Sequence, residues 1–180
     1  MKKQTQRLLV AMLAALTIGI STQQAKAYET VSSNISSNTT WTRGNTYYVS
    51  ATITVAAGVT LTVEDSVVVK FAPGVFLAIR GNLETSAGDG MRFFTSRDDN
   101  AVGEIIPGSD GVPTSIDWQG LHFYSSASGR LNYCTISYAA YGISGSGTFP
   151  SISNCTIRNN DIGIFAENTT PNLSSPNTIH

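Results

Sequence analysis

The sequence predicts an all-β solenoid, and three observations lead to this prediction. The stretch LNYCTISYAAYGI, which begins at Leu131, recurs as ISNCTIRNNDIGI from Ile152, at a spacing of 21. A second region repeats with a spacing of 22. Glycine and asparagine separate the short apolar segments inside each period. One turn of such a repeat cannot bury its apolar face, so successive turns must stack on one another.

Residues of like character recur at these spacings along most of the chain. The pairs at a spacing of 21 are Cys134 and Cys155, Thr135 and Thr156, Ile136 and Ile157, Gly142 and Gly163, and Ile143 and Ile164. The pairs at a spacing of 22 are Ile53 and Val75, Val55 and Leu77, Leu61 and Leu83, Val69 and Met91, and Phe71 and Phe93. Gly120-Leu121 precedes Gly142-Ile143 at the same spacing of 22, so we expect at least five turns.

The pattern inside each period is typical of strands and not of helices. Val67, Val69 and Phe71 are predicted to face inward, and Val68 and Lys70 to face outward. This period of two is the signature of a strand with one buried face. Several short strands in every period, stacked at the inter-strand spacing of about 4.8 Å, describe a parallel β-helix.

The segment 1–27 has the features of a secretory signal peptide. Lys2, Lys3 and Arg7 precede the apolar run 8–20, and Ala25-Lys26-Ala27 places small residues at a cleavage site. The run is too short to span a membrane stably, which takes about 20 apolar residues. We therefore expect a secreted, periplasmic or cell-surface bacterial protein with no membrane span after cleavage.

The remaining chain is predicted to contain three parts. Residues 28–50 break the period and hold Trp41, Tyr47 and Tyr48, so they are expected to form an N-terminal cap over the first turn, or alternatively an aromatic platform for sugars. Residues 51–180 form the β-helix, with a loop insertion at 97–117. The C-terminal end is expected to be open: the protein continues, is truncated, or stacks end to end on another subunit.

Composition excludes some classes of partner. After removal of residues 1–27, seven basic and twelve acidic side chains remain, a net charge of −5. A mildly acidic surface without clusters of Lys or Arg is not expected to bind nucleic acid or an anionic membrane. The low charged fraction of 13% fits an extracellular β-rich scaffold.

Three phrases of the chain resemble a known family. They are TWTRGNTYYVSATITVAAGVTLTVEDSVVVKFAP, then FFTSRDDN with GSDGVPTSIDWQGLHF, and finally NCTIRNNDIGI. These phrases are similar to right-handed parallel β-helix proteins of the pectate-lyase-like kind, particularly modules of secreted bacterial proteins. The resemblance implies a right-handed β-helix, but members of this fold include lyases, hydrolases, adhesins and spacers, so it does not imply an activity.

Lys70 and Arg92 are the candidate substrate-binding residues. Their spacing is 22, so we expect them to lie one above the other on an exposed strand face. Such a pair suits the carboxylate of a uronate sugar, although two solvated side chains would show the same pattern. The pattern of a hydrolase is missing, because the predicted stacking brings no two carboxylates together.

The insertion at 97–117 carries nearly half of the acidic side chains of the mature chain. Its oxygen ligands and glycines suit Ca²⁺, with Asp98, Asp99 and Asp110 as candidate ligands. A solvated acidic loop without metal is the alternative. Zinc is not expected, since the cysteines and histidines lack a tetrahedral ligand spacing.

Cys134 and Cys155 occupy equivalent positions of adjacent turns. Stacking would bring their Cα atoms within the range that a disulfide allows, and an oxidising compartment would permit the bond. Two free thiols packed as small apolar residues are the other possibility. The sequence leaves both open.

The function expected from the sequence is that of a non-catalytic scaffold or adhesin-like module, part of or truncated from a longer protein. Its partners would be a polysaccharide or another surface protein. The alternative is a polysaccharide-binding protein, lyase or hydrolase of the pectate-lyase-like superfamily.

Overall fold

A computed structural model describes residues 28–85, 88–174 and 176–180. The predicted signal peptide, 1–27, lies outside the described residues. The described strands are β1 (Glu29–Val31), β2 (Thr39–Trp41), β3 (Thr46–Val49), β4 (Ile53–Val55), β5 (Thr60–Val63), β6 (Val68–Phe71), β7 (Phe76–Ile79), β8 (Asn82–Thr85), β9 (Arg92–Ser96), β10 (Gly120–Phe123), β11 (Ser128–Asn132), β12 (Cys134–Ser137), β13 (Tyr141–Ser146), β14 (Ser151–Ser153), β15 (Thr156–Arg158), β16 (Ile162–Glu167), β17 (Asn172–Leu173) and β18 (Thr178–Ile179). Within the described ranges, no helix is long and apolar enough to cross a membrane.

The strands form three parallel sheets that share one core. The first sheet has the order β1-β3-β6-β9-β12-β15-β18, the second β16-β13-β10-β7-β4, and the third β17-β14-β11-β8-β5-β2. The chain visits the sheets in turn, so each neighbour in a sheet belongs to the next circuit. This is the predicted parallel β-helix.

Stacked columns of apolar side chains fill the core. In the second sheet, Ile53, Leu77, Leu121, Ile143 and Ile164 are aligned on five successive strands. The first four are fully buried. Burying one such aliphatic side chain stabilises the fold by about 1.5–3 kcal/mol, and a column gains this at every turn.

The repeat spacing predicted for the later turns is confirmed. Ile136 lies beside Ile157 and Ile143 beside Ile164, both at a spacing of 21. Leu121 lies beside Ile143, at the predicted spacing of 22. Residues 131–164 therefore have turns of nearly constant length.

The uniform spacing of 22 is wrong for part of the earlier turns. Leu61 does lie beside Leu83. Ile53, however, lies beside Leu77 at a spacing of 24, and Val69 lies beside Phe94 at a spacing of 25. The connections between strands differ in length from turn to turn, so a single period cannot align all three sheets at once.

The extra residues before β9 change which way Arg92 faces. Between β6 and β9 the spacing exceeds 22 by three, an odd number, and an odd shift moves a side chain to the other face of its strand. Arg92 shares its face with the buried Phe94 and lies beside the buried Cys134. Its predicted outward position is therefore wrong.

The segment 28–50 is a turn of the solenoid, which corrects the predicted break in the repeat. β1 and β3 belong to the first sheet and β2 to the third. Thr39 lies beside Leu61, and Tyr47 lies beside Val69, both at a spacing of 22. Trp41 and Tyr47 are buried, with parallel rings whose centroids are 5.0 Å apart. Their aromatic surfaces fill the core, so they do not form an exposed platform for sugars.

The insertion at 97–117 lies between β9 and β10 and packs on the outer face of the first sheet. Lys70 points outward, as predicted, yet it is fully buried because the loop covers it. Its ammonium nitrogen donates hydrogen bonds to the carbonyl oxygens of Asp99 and Glu104, each at 2.7 Å. The Ser96 hydroxyl donates to Asp117 at 2.6 Å near the other end of the loop.

The last described turn leaves strand edges uncovered by other described residues. β16, β17 and β18 are the edge strands of the three sheets, and β18 places Ile179 beside Ile157 at the predicted spacing of 22. Phe165, Leu173 and Ile179 of this turn are all exposed. End-to-end stacking on another subunit stays a prediction.

Replacing Lys70 with methionine should detach the loop from the sheet. The substitution keeps the length of the side chain but leaves the carbonyls of Asp99 and Glu104 without their buried donor. We expect a loss of about 2–4 kcal/mol in the free energy of unfolding, measured by urea denaturation, and faster proteolytic cleavage within 97–117.

Arg130→Met is the matched control, because Arg130 is an exposed strand residue whose side chain makes no hydrogen bond to another described residue. Equal stability of the two variants would show that Lys70 does not hold the loop.

Candidate functional site

The structure does not bring together the two basic residues predicted to bind substrate. Lys70 lies beside Thr95, and Arg92 lies beside Cys134, so the expected stack of two cations is wrong. Burial lowers the pKa of Lys70, an effect opposed by the nearby Asp99, Glu104 and Asp98 carboxylates. The Arg92 guanidinium donates to the carbonyl oxygens of Val63, Gly90 and Asn132. Both side chains therefore donate their hydrogen bonds to backbone carbonyl oxygens inside the protein.

The three predicted calcium ligands make contacts with residues of the loop 97–117 or of the adjoining strand β9. Asp98 forms an ion pair with Arg97, 3.0 Å from Nε to Oδ1. Asp99 accepts a hydrogen bond from the Thr95 hydroxyl at 2.8 Å. Asp110 accepts one from the backbone of Val112 at 2.9 Å. In the described ranges, no group of three or more His, Cys, Asp or Glu side chains is arranged to hold a metal ion. Calcium binding through these residues has no support from this geometry.

Cys134 and Cys155 lie in register on adjacent turns and are free thiols. Both are buried. The Cys155 thiol donates to the Ser153 carbonyl oxygen at 3.1 Å. Burial raises the pKa of Cys134, and its hydrogen bond with Cys155 acts in the same direction. Of the two possibilities left open by the sequence, the structure has the pair of packed thiols.

These thiols should resist alkylation in the folded protein. Burial keeps iodoacetamide from both sulfur atoms. It also raises the pKa of Cys134, so less of the nucleophilic thiolate forms there. The hydrogen bond with Cys134 lowers the pKa of Cys155, so the protection of Cys155 depends on its burial. Without any reductant, we expect almost no labelling of the native protein by mass spectrometry and labelling of both cysteines in denaturant. If denatured protein is labelled only after reduction, the two cysteines form a disulfide.

The outer face of the second sheet carries a row of aromatic side chains. The rings of Phe76 and His122 are stacked, with centroids 4.7 Å apart. Tyr141 meets His122 edge to face at 6.5 Å, and it meets Phe165 in the same manner at 5.6 Å. These residues come from β7, β10, β13 and β16, so the row runs along the solenoid axis. Phe165 is 45% exposed.

A glycine lets this row form. Gly120, at the start of β10, has a φ of +115°, which side chains rarely allow. A Cβ atom at this position would collide with the carbonyl oxygen of Tyr141. Glycine therefore permits the close approach of β13 to β10 at the point where the rings of Tyr141 and His122 meet.

A shallow pocket of about 180 Å³ lies beside the row. In one column of the sheet, Ser144 is aligned between His122 and Phe165. Serine is smaller than its two neighbours, so it leaves a gap between two rings. In the next column, Ser146 lies beside Glu167. The pocket is lined by His122, Phe123, Tyr124, Ser144, Gly145, Ser146, Phe165 and Glu167.

Polar groups in the pocket are placed by contacts on the same face. The Ser146 hydroxyl donates to a carboxylate oxygen of Glu167 at 3.1 Å. The guanidinium carbon of Arg80 lies 4.4 Å from the centre of the Tyr124 ring, a cation–π contact that orients the ring. Within the described part of the chain, the hydroxyls of Tyr124 and Ser144 have no hydrogen-bond partner, so they are available to a ligand or to water.

His122 donates a hydrogen bond to the backbone. Its Nε2 lies 2.9 Å from the carbonyl oxygen of Gln119 and must donate, since a carbonyl can only accept. Burial lowers the pKa of His122 and so favours the neutral ring, an effect that this hydrogen bond partly opposes. In the neutral form, Nδ1 is an acceptor.

The arrangement suits binding better than hydrolysis. Ligand sites combine apolar and aromatic surface with a few placed polar groups, and this pocket has rings at both ends of a gap with hydroxyls along it. Glycoside hydrolysis by the usual route needs two carboxylates, whereas Glu167 supplies the single carboxylate among the eight residues that line the pocket.

The repeat pattern did not reveal the aromatic row, because its four residues do not follow the repeat. They are separated by 46, 19 and 24 positions, since the insertion at 97–117 and turns of unequal length intervene. The pocket residues, in contrast, do follow it. The alignment of Gly120-Leu121 with Gly142-Ile143 places His122 beside Ser144, and that of Ile143 with Ile164 places Ser144 beside Phe165. These two alignments together could have indicated the pocket.

Comparison with known proteins supports the fold. Residues 113–180 match a protein-family model described as a right handed beta helix region. This segment contains β10 to β18 and all eight residues that line the pocket. Together with the three parallel sheets, the match makes this chain a right-handed parallel β-helix. No curated protein and no solved structure matches it.

The half-buried His122 should make stability depend on pH. Because its pKa is lowered in the folded protein, the unfolded chain binds a proton at a higher pH, and stability must fall as the pH drops through 6.5. Well above 6.5 the effect should be absent, since both states are then neutral. We expect His122→Phe, which keeps an aromatic ring against Phe76, to reduce this acid sensitivity in urea denaturation measured on both sides of 6.5. An unchanged pH dependence would show that His122 does not titrate abnormally.

Proposed function

We propose that this chain is a non-catalytic β-helix module that binds a glycan on the outer face of its second sheet. One observation carries the proposal: a row of four aromatic rings, one of them well exposed, borders a pocket with unpartnered hydroxyls. Sugar rings have apolar C–H faces and hydroxyl rims, so they pack on aromatic rings and form hydrogen bonds at their edges. The aromatic row supplies the first kind of contact and Ser144 and Tyr124 the second.

The proposal places the module outside the cell or on its surface. A polysaccharide-binding scaffold or adhesin must be exported, and the signal peptide predicted for residues 1–27 would direct its export. We also propose that the module belongs to the pectate-lyase-like superfamily. The rigid solenoid would hold the binding face in a fixed orientation. A lyase or hydrolase is less well supported, because Lys70 and Arg92, the cations offered for such a reaction, are buried.

Phe165→Ala should weaken glycan binding at least about five-fold, since loss of an important aromatic contact costs more than about 1 kcal/mol. The assay is affinity electrophoresis in gels containing soluble β-glucan, galactomannan, xylan, polygalacturonate or alginate, followed by titration calorimetry with the best ligand.

Leu173→Ala is the control variant. Leu173 is 47% exposed and belongs to the same last turn, but it lies on β17 of a different sheet. Failure of all five polysaccharides to bind, or equal binding by both variants, would contradict the proposal. Turnover of any of them would contradict its non-catalytic part.

A further inference from the structure

Charge on this face indicates which class of glycan it accepts. Glu167 is exposed, lines the pocket and belongs to the same column as Ser146. The Ser146 hydroxyl engages Oε2, and no other described residue donates to Oε1. An unneutralised carboxylate at this position repels a ligand carboxylate and accepts hydrogen bonds from ligand hydroxyls.

The cations of the described chain do little to offset this charge. Lys70 and Arg92 are fully buried, and Arg43 and Arg97 form ion pairs with Asp65 and Asp98. Arg130 and Arg158 lie on β11 and β15, which belong to the other two sheets. Arg80 does contact a residue of the pocket, since its guanidinium lies over the Tyr124 ring. The described part of the chain also carries a net charge of −5.

We propose that the pocket is specific for uncharged sugars and that Glu167 excludes uronates from it. The carboxylate accepts hydrogen bonds from the hydroxyls of a neutral hexose or pentose, while the rings of His122 and Phe165 pack against the C–H faces of the sugar. A polyuronate brings one negative charge on every sugar unit to the same place. This inference rests on the proposed function, since it assigns the ligand class of the same site.

The direction of the ligand follows from the order of the strands. His122, Ser144 and Phe165 come from β10, β13 and β16, three consecutive circuits of the solenoid. The pocket lining therefore extends along the solenoid axis over two inter-strand spacings, or roughly 10 Å. A glycan lying along the axis passes the aromatic row on one side and the Tyr124, Ser146 and Glu167 column on the other.

Glu167→Gln tests the inference. The amide keeps the size of the side chain and can still accept a hydrogen bond, but it carries no charge. The probes are soluble β-glucan, galactomannan and xylan as neutral glycans, with polygalacturonate and alginate as polyuronates. We expect the wild-type protein to bind a neutral glycan at least about ten-fold more tightly than either polyuronate. The variant should gain about five-fold for the polyuronates and change little for the neutral glycan.

Salt and a second variant separate a local effect from a general one. The gain for the polyuronates should shrink at high ionic strength, because salt screens exposed charges. Glu84→Gln is the matched control: Glu84 lies on β8 of the third sheet and also accepts a hydrogen bond from an outward side chain, that of Asn82. Glu84→Gln also removes one negative charge, but from another sheet, so it should leave the preference for neutral glycans over polyuronates unchanged.

The outcomes distinguish the two proposals. If Phe165→Ala binds all probes as well as the wild type, the face is not the binding site and both proposals fail. If Phe165→Ala weakens binding, yet the wild type binds a polyuronate as tightly as any neutral glycan, only the specificity is overturned. The specificity is likewise overturned if Glu167→Gln leaves polyuronate affinity unchanged, or if Glu84→Gln raises polyuronate affinity as much as Glu167→Gln does.

Discussion

The ladder of backbone hydrogen bonds between consecutive turns is the constraint on which the whole structure depends. Each strand in the interior of a sheet pairs its N–H and C=O groups with the strands one circuit before and one circuit after. In-register stacking then places like side chains in columns, such as the aliphatic column of the second sheet. Every turn needs its neighbour to bury its inner face. Outward side chains are not needed for this burial, so they can form a binding site without weakening the core.

Local patterns predicted the fold and the later turns well. The alternation of apolar residues identified strands, and the repeat around Cys134 and Cys155 gave the correct register there. These features depend on neighbouring residues and on turns of equal length. Residues 28–50 were harder to place, because Trp41 and Tyr47 differ in size from the residues stacked beside them although their spacing is regular.

The predicted substrate-binding pair was wrong because it depends on connection lengths. An odd number of extra residues before β9 turned Arg92 into the core, and the insertion at 97–117 buried an outward Lys70. The aromatic row was not predictable for a similar reason, since it combines residues of four strands whose separations along the sequence share no period. The pocket beside it lies in turns of regular length, where His122, Ser144 and Phe165 are 22 and 21 residues apart. Its register was therefore predictable, but the spacing alone does not show that these outward side chains form a pocket.

Amide hydrogen exchange measured by mass spectrometry, with and without a bound neutral glycan, is the decisive test of this binding face. Ordered contacts between ligand and strands slow the local opening that exchange requires. Binding along the aromatic row predicts slower exchange in three separate segments, 120–124, 143–146 and 164–167, and unchanged exchange in the loop 97–117. Protection confined to that loop or to the third sheet, or no protection while glycan is bound, would contradict it.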